Sequence, residues 1–276
     1  MPDHVTNQIM VKNDDADHTK LLELAIFLKP EKGKLGDIDF NKLLPMPEEL
    51  NIEACSIGEN GLKLYSQFMK ESLSLAFSNL GRQRSKEEQN RLVSELIDKY
   101  AKIAERDPEA WELGEKYYNN LQKYGARHWY DWTNKHWGTK WNAYDCIPWE
   151  KGSDMLEFYT AWDSVVKLMA MLSKKFPEME ITYRWANEDL GYDVGEIVMK
   201  DGRIEQERLP IGGSKEAYEM AAEIMGSSPE EWGFVFSEAE GTYVYTEDIE
   251  QRHIEKLHEE RSEKKEKKTR NDTMER

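Results

Sequence analysis

The sequence is poor in the features by which many functions announce themselves. Its only cysteines are Cys55 and Cys146, with no Cys-x-x-Cys spacing. Two isolated thiols cannot build a zinc site alone, and without an export signal they are expected to stay reduced. The longest apolar run, near Leu24 to Leu28, is about five residues, against the roughly 20 a membrane helix needs. No transmembrane span is therefore expected. The opening Met1-Pro2-Asp3-His4 has neither a basic n-region nor an apolar h-region, so no signal peptide is expected. Gly-x-Ser-x-Gly, kinase and Asp-x-Asp-x-Asp-Gly signatures are absent, and no repeat is visible. Ile211-Gly212-Gly213-Ser214-Lys215 superficially resembles a phosphate loop but lacks the first glycine at Walker spacing. Ser214 reads instead as a helix cap.

What is present is charge. The 276 residues carry 38 Lys+Arg against 54 Asp+Glu, a formal charge of −16. With 39% hydrophobic residues the chain is too apolar for disorder, and with 33% charged it is too polar for a membrane protein. The stretch from Glu250 to Arg276 holds eight acids and nine bases, so the acid belongs to the remainder, at −17. Such charge favours solubility and repels nucleic-acid phosphates unless bases are segregated. A soluble, acidic, cytoplasmic protein is expected.

Periodicity supplies the elements. His4 to Lys12 reads as a strand, and Leu21, Leu24, Ala25 and Leu28 as a helix capped by Asp15 or Asp17 and stopped by Pro30. Gly33 to Leu50 is loop-like, with Pro45 and Pro47 opposing regular structure. Residues 60–125 are helical. Leu62, Tyr65, Met69, Leu73, Ala76 and Leu80 share one face. Ser85 and Glu88 form a capping box, Asp107-Pro108 opens a further helix, and Gly125 closes it. Thr139 to Ile147 then alternates as a strand. A strand over Met155 to Trp162, a helix from Val165 to Leu172 and a strand over Glu180 to Trp185 follow. Tyr192 to Lys200 and Arg203 to Leu209 form a hairpin turning at Asp201-Gly202. A helix from Ser214 and a short hairpin, Phe234 to Phe236 with Thr242 to Tyr245, complete the pattern.

With the long helical stretch set aside, the order is βαββαβ. This predicts an α+β fold: a ferredoxin-like antiparallel sheet, with a helical insertion after the first helix and an added C-terminal hairpin and helices. One domain is expected over residues 1–248, with residues 58–126 as the insertion. Residues 249–276 are expected to be a charged tail, partly helical or disordered, too poor in apolar residues for a coiled coil.

Several motifs carry a resemblance. They are Met1-Pro2-Asp3-His4-Val5-Thr6-Asn7; Asp39-Phe40-Asn41-Lys42-Leu43-Leu44-Pro45-Met46-Pro47-Glu48-Glu49-Leu50; Trp137-Gly138-Thr139-Lys140-Trp141-Asn142-Ala143-Tyr144-Asp145; and Phe158-Tyr159-Thr160-Ala161-Trp162 with Phe176-Pro177. Together they resemble the YubB-type ferredoxin-like family of phage and plasmid proteins, over about residues 1–50 and 127–205. The resemblance implies the fold and a mobile-element gene product acting inside a bacterium. It implies no enzymatic activity and no catalytic residues. Asp163-Ser164 departs from the proline that relatives often carry, and the insertion and tail lie outside the motifs.

Three clusters are candidates for chemistry. Trp129, Trp132, Trp137, Trp141 and Trp149, with Trp162 on the next strand, could form an aromatic platform for single-stranded bases, helped by Arg127, His128, Lys135, His136 and Lys140. The competing expectation is that these rings pack the core. His4, His128, His136 and Cys146 could supply a Cys–His pair, though histidines eight apart match no common zinc motif. Glu188, Asp189 and Asp193, with Asp145, could form a carboxylate or cation site, or be solvated turn acids.

The leading expectation is non-catalytic binding of a host or phage protein by a mobile-element accessory protein. That protein would inhibit or redirect a host factor such as a defence system. The expected contact region is Trp129, Trp132, Trp137, Lys140, Trp141, Asn142, Tyr144 and Asp145, together with the insertion. Glu188, Asp189 and Asp193 are the expected acidic surface. No metal, cofactor or membrane partner is expected. Single-strand nucleic-acid binding, disfavoured by charge, and an unrecognised enzyme are the alternatives.

Overall fold

The computed structural model describes residues 3–12, 14–81 and 84–247. In chain order the elements are β1 (His4–Val11), α1 (Thr19–Leu28), α2 (Ser56–Gly81), α3 (Lys86–Arg106), α4 (Pro108–Tyr124), α5 (Trp129–His136), β2 (Leu156–Ala161), α6 (Val166–Lys175), β3 (Ile181–Asn187), β4 (Val194–Lys200), β5 (Arg203–Arg208), α7 (Lys215–Ile224), β6 (Phe234–Ser237) and β7 (Thr242–Tyr245). They form two compact units. One comprises residues up to Asp39 and from Asn142 onward, and the other is Phe40–Trp141, within which the expected insertion falls. The expected tail, residues 249–276, lies outside the described residues.

The first unit is a ferredoxin-like α+β fold. Its sheet runs β2-β1-β3-β4-β5, antiparallel throughout. Val5, Asn7 and Ile9 stand opposite Thr160, Phe158 and Leu156 on one side and Asn187, Trp185 and Tyr183 on the other, so all share a face. Helix α6 packs there, its first turn held by the Val165 N–H donating to the Tyr183 hydroxyl at 2.9 Å. Phe27 meets Phe176 edge to face at 5.4 Å, which sets α1 beside the end of α6. Asn7 is fully buried, and each of its polar atoms is used. Its Nδ2 donates to Thr160 Oγ1 and the Val5 carbonyl, both at 2.8 Å, and its Oδ1 accepts from the Tyr183 hydroxyl at 2.5 Å. Helix α7 covers part of the opposite face. Gln8 Nε2 donates to the Ile224 carbonyl at 2.9 Å, and Ala217, Met220 and Ala221 close on Ala186, Leu190 and Val194.

The expected strand from Thr139 to Ile147 is corrected. Only a single bridge, Tyr144 to Tyr159, stands at the edge beside β2. The reason is local: Gly138 (φ 82°) and Asp145 (φ 46°) are left-handed, which no regular strand tolerates. Asn142 also spends its amide on Asp39 Oδ1 at 2.7 Å. The segment straddles the boundary of the two units. The ferredoxin-like second strand is thus vestigial, while the β4–β5 hairpin extends the opposite edge. Its turn residues Asp201 (φ 50°) and Gly202 (φ 74°) have the paired positive φ of a type I′ turn.

In the second unit α2 and α4 approach so closely that side chains are excluded. A Cβ on Gly61 would lie 1.7 Å from the Ala110 carbonyl oxygen, and one on Gly114 would lie 2.2 Å from the Gly61 carbonyl. Capping follows the sequence. Ser85 accepts the Glu88 N–H, Asp107 accepts the Ala110 N–H ahead of Pro108, and Gly125 (φ 66°) ends α4. Helix α5 is unanticipated. Its aromatic residues favour strands by propensity, but His128 caps it and Lys135 suits its C-terminal dipole.

Candidate functional site

The structure disperses the expected aromatic contact region. Trp132 and Trp137 are 5% and 4% exposed, so they offer no ring to a partner, and their place in that region is corrected. They meet edge to face at 5.5 Å, Trp137 lies against Phe40, and its indole N–H donates to the Leu44 carbonyl at 2.9 Å. Burying both rings in the second unit's core gains more than stacking them in water. Trp129, Trp149, Lys140, Trp141 and Asn142 are half-buried. Lys140 Nζ sits 4.5 Å from the centre of the Trp141 ring. Tyr144 is half-buried with its hydroxyl 2.5 Å from His4 Nδ1, and burial raises its pKa to about 12. Asp145 is exposed on its left-handed bend, and Trp162 (φ 77°) is exposed. The aromatic-platform expectation is therefore corrected for Trp132 and Trp137, whose rings are core.

The histidines have structural partners. His128 is buried; its Nδ1 accepts the Asp131 N–H, and its ring meets Tyr117 edge to face. Beside it Arg127 bridges Asp131 Oδ2 at 2.5 Å and Glu59 Oε1 at 2.6 Å. His136 stacks on Trp132 at 4.7 Å. Burial pushes both imidazoles below their ordinary pKa. Cys55 and Cys146 are free thiols. Burial pushes the Cys146 thiol up, away from the thiolate a nucleophile needs; the groups acting on it are the Ile38 backbone, Asp37 and Asp145, with no histidine among them. Of the expected acids, Glu188 and Asp189 are exposed. Asp193 is also exposed, but its carboxylate accepts the Trp185 indole N–H at 3.1 Å, and the desolvation there raises its pKa. Among the described residues, no group of three or more His, Cys, Asp or Glu side chains converges on a metal position. Ser214 accepts the Ala217 N–H at 3.2 Å as a cap, and Tyr192 closes over Gly212 and Gly213.

Within the insertion, expected as part of the contact region, an exposed apolar surface lies on residues the sequence did not single out for contact. Helix α2 has 26 residues and α4 only 17, so α4 covers the first part of α2 and leaves the remainder without its neighbour. Leu73 and Ala76, expected on the shared apolar face, are exposed, and Phe77 is 70% exposed. The Leu80 side chain, expected on that face, lies outside the described residues. Helix α3 adds a second exposed stripe, Val93, Ile97 and Ala101, at four-residue spacing. The hairpin is tied by Lys99 Nζ on Glu71 (2.8 Å) and by Phe68, Tyr100 and Trp111, whose ring centres lie 5.1–5.9 Å apart. Ile97 and Ala101 border a groove of about 170 Å³ floored by those three rings. The signal was available: an apolar face carried past the length of any helix able to cover it.

Charge separates the units as well. Phe40–Trp141 holds 15 Lys+Arg and 15 Asp+Glu, so the whole of the −16 falls on the rest of the chain. No helix among the described residues is long and apolar enough to cross a membrane.

Residues 136–227 match the family model of the ferredoxin-like domain in Api92-like protein, a stretch that runs from the end of α5 through α7. The crystal structure of a protein api92 from Yersinia pseudotuberculosis is similar at 12% identity, covering 77% of this chain and 99% of that chain, with a TM-score of 0.31. No curated protein matches.

Proposed function

We propose that the protein acts by non-catalytic binding of a protein partner, with the outer half of the α2–α3 hairpin as its docking surface. The observation that carries this reading is the exposed apolar side chains there: Leu73 and Phe77 one turn apart on α2, and Val93 and Ile97 one turn apart on α3. Two large apolar side chains exposed one turn apart, as Leu73 and Phe77 are, make a surface that a partner can cover. The helical unit is electrically neutral, which removes a long-range barrier to docking on a surface of either sign. In this reading the protein is an accessory product of a phage or plasmid, working in the cytoplasm of a bacterial host, where it inhibits or redirects a host factor such as a defence system. The mobile-element setting rests on the sequence motifs of residues 1–50 and 127–205.

The test is paired affinity capture from the host with the unaltered protein and with Leu73→Glu/Phe77→Glu. Both positions are exposed, so the charged variant is expected to keep its fold, as helical circular dichroism would verify. A partner retained by the unaltered protein and lost from the variant supports the proposal. Equal capture by both contradicts it.

A further inference from the structure

A second feature, in the ferredoxin-like unit and independent of the hairpin, has the make-up of a ligand site. A cleft of about 310 Å³ opens on the sheet face that α7 only partly covers. This volume sits at the lower end of the range of small-ligand pockets. Its floor is β1 and β2: Thr6 stands opposite Tyr159 in register, with His4 at the strand's end. Its walls are Glu157, Glu188 and Trp232.

Three properties define what it would take. First, its carboxylates face no cation. Glu188 makes no ion pair among the described residues, and no Lys or Arg lines the cleft. Glu157 is held from behind, its Oε2 accepting from Gln8 Nε2 at 2.8 Å, which leaves Oε1 unused. The nearby guanidinium of Arg184 is engaged by Glu196 and Glu223. Second, Thr6 is only 5% exposed, lines the cleft, and has no hydrogen-bond partner for its hydroxyl among the described residues. The hydroxyl is thus open from the cleft to a hydrogen-bonding group of a ligand. Third, two aromatic rings, Tyr159 and Trp232, border the site, and Trp232 is fixed by its indole N–H on Ser227 Oγ at 2.7 Å.

Carboxylates, an oxygen acceptor and aromatic faces around one small volume match a compact cation with several donors. We propose that this cleft binds a primary ammonium group, carried by a small amine or by a lysine side chain. The ammonium donates to Glu188, to the unused oxygen of Glu157 and to Thr6 Oγ1, while its methylenes pack on Trp232 and Tyr159. Nucleic acid is excluded here, because its phosphates would meet two unneutralised carboxylates.

The test is an amide NMR titration of the full chain with putrescine, with N-acetyl-lysine methylamide and with the uncharged N-acetyl-norleucine methylamide. The expected result is saturable shifts in residues 4–8, 157–159 and 225–232 with at least one of the two amines and none with the norleucine analogue. Putrescine alone would identify a small-amine site, and the lysine analogue alone a side-chain site. Glu188→Gln, at an exposed position that leaves the fold intact, should weaken binding about fivefold, and added salt should weaken it further. Absence of saturable shifts up to millimolar amine, equal shifts with norleucine, or unchanged affinity in Glu188→Gln would overturn the proposal.

Discussion

Replacing Gly114 with alanine should destabilise the helical unit, against the ordinary rule for helices. In an unconstrained helix interior, glycine to alanine gains about 1 kcal/mol, because alanine restricts the unfolded chain. Here the new methyl would stand 2.2 Å from the Gly61 carbonyl, where real Cβ contacts essentially never fall below 3.0 Å. The obstacle is backbone, so no rotamer change relieves it and the two helices must part. Overpacking of this kind costs about 1–3 kcal/mol, with rigid obstacles at the upper end. Setting about 3 against the gain of about 1 leaves a net loss of about 2 kcal/mol. Gly61→Ala, whose Cβ would lie 1.7 Å from the Ala110 oxygen, should lose at least as much. Urea unfolding followed by helical circular dichroism reads the change directly. A Gly114→Ala protein as stable as the parent, or more stable, would refute the close approach of α2 and α4.

Two further predictions concern the interior. Tyr183→Phe removes the donor to Asn7 Oδ1 and the acceptor for the Val165 N–H, both buried. At about 1–3 kcal/mol per orphaned group, the loss should total about 2–6 kcal/mol by urea denaturation, and a loss below about 1 would count against the network. Burial depresses His128 and His136 below 6.5, so the folded state binds fewer protons than the unfolded state there. Their contribution is therefore intact above pH 6.5 and declines as pH falls below it toward the folded values. Thermal melting at pH 7.5 and 5.5 should show the lower midpoint at 5.5, with a smaller drop in His128→Asn, which keeps a capping side chain.

Most of the fold was legible because its signals are local. Ser85, Asp107-Pro108, Gly125 and Asp201-Gly202 each fix a chain ending or turn through their own backbone and side-chain chemistry, and the structure uses every one. The failures came where tertiary placement outweighs local pattern. Thr139 to Ile147 alternates like a strand, but it bridges two units and bends at Gly138 and Asp145. The aromatic run Trp129 to Trp132 has strand propensity, yet it folds as a helix that buries Trp132. The candidate site was less legible. Helical periodicity tells which residues share a face, not whether a neighbour covers it, and only the mismatch between α2 and α4 shows that Leu73 and Phe77 stay uncovered.

The central claim is that this uncovered face is the binding surface. The most direct measurement is quantitative affinity capture from the bacterial host with the unaltered protein beside Leu73→Glu/Phe77→Glu, each confirmed to be folded. At least one partner should be enriched with the unaltered protein and reduced more than tenfold with the variant. The same partners at the same abundance in both captures would contradict it.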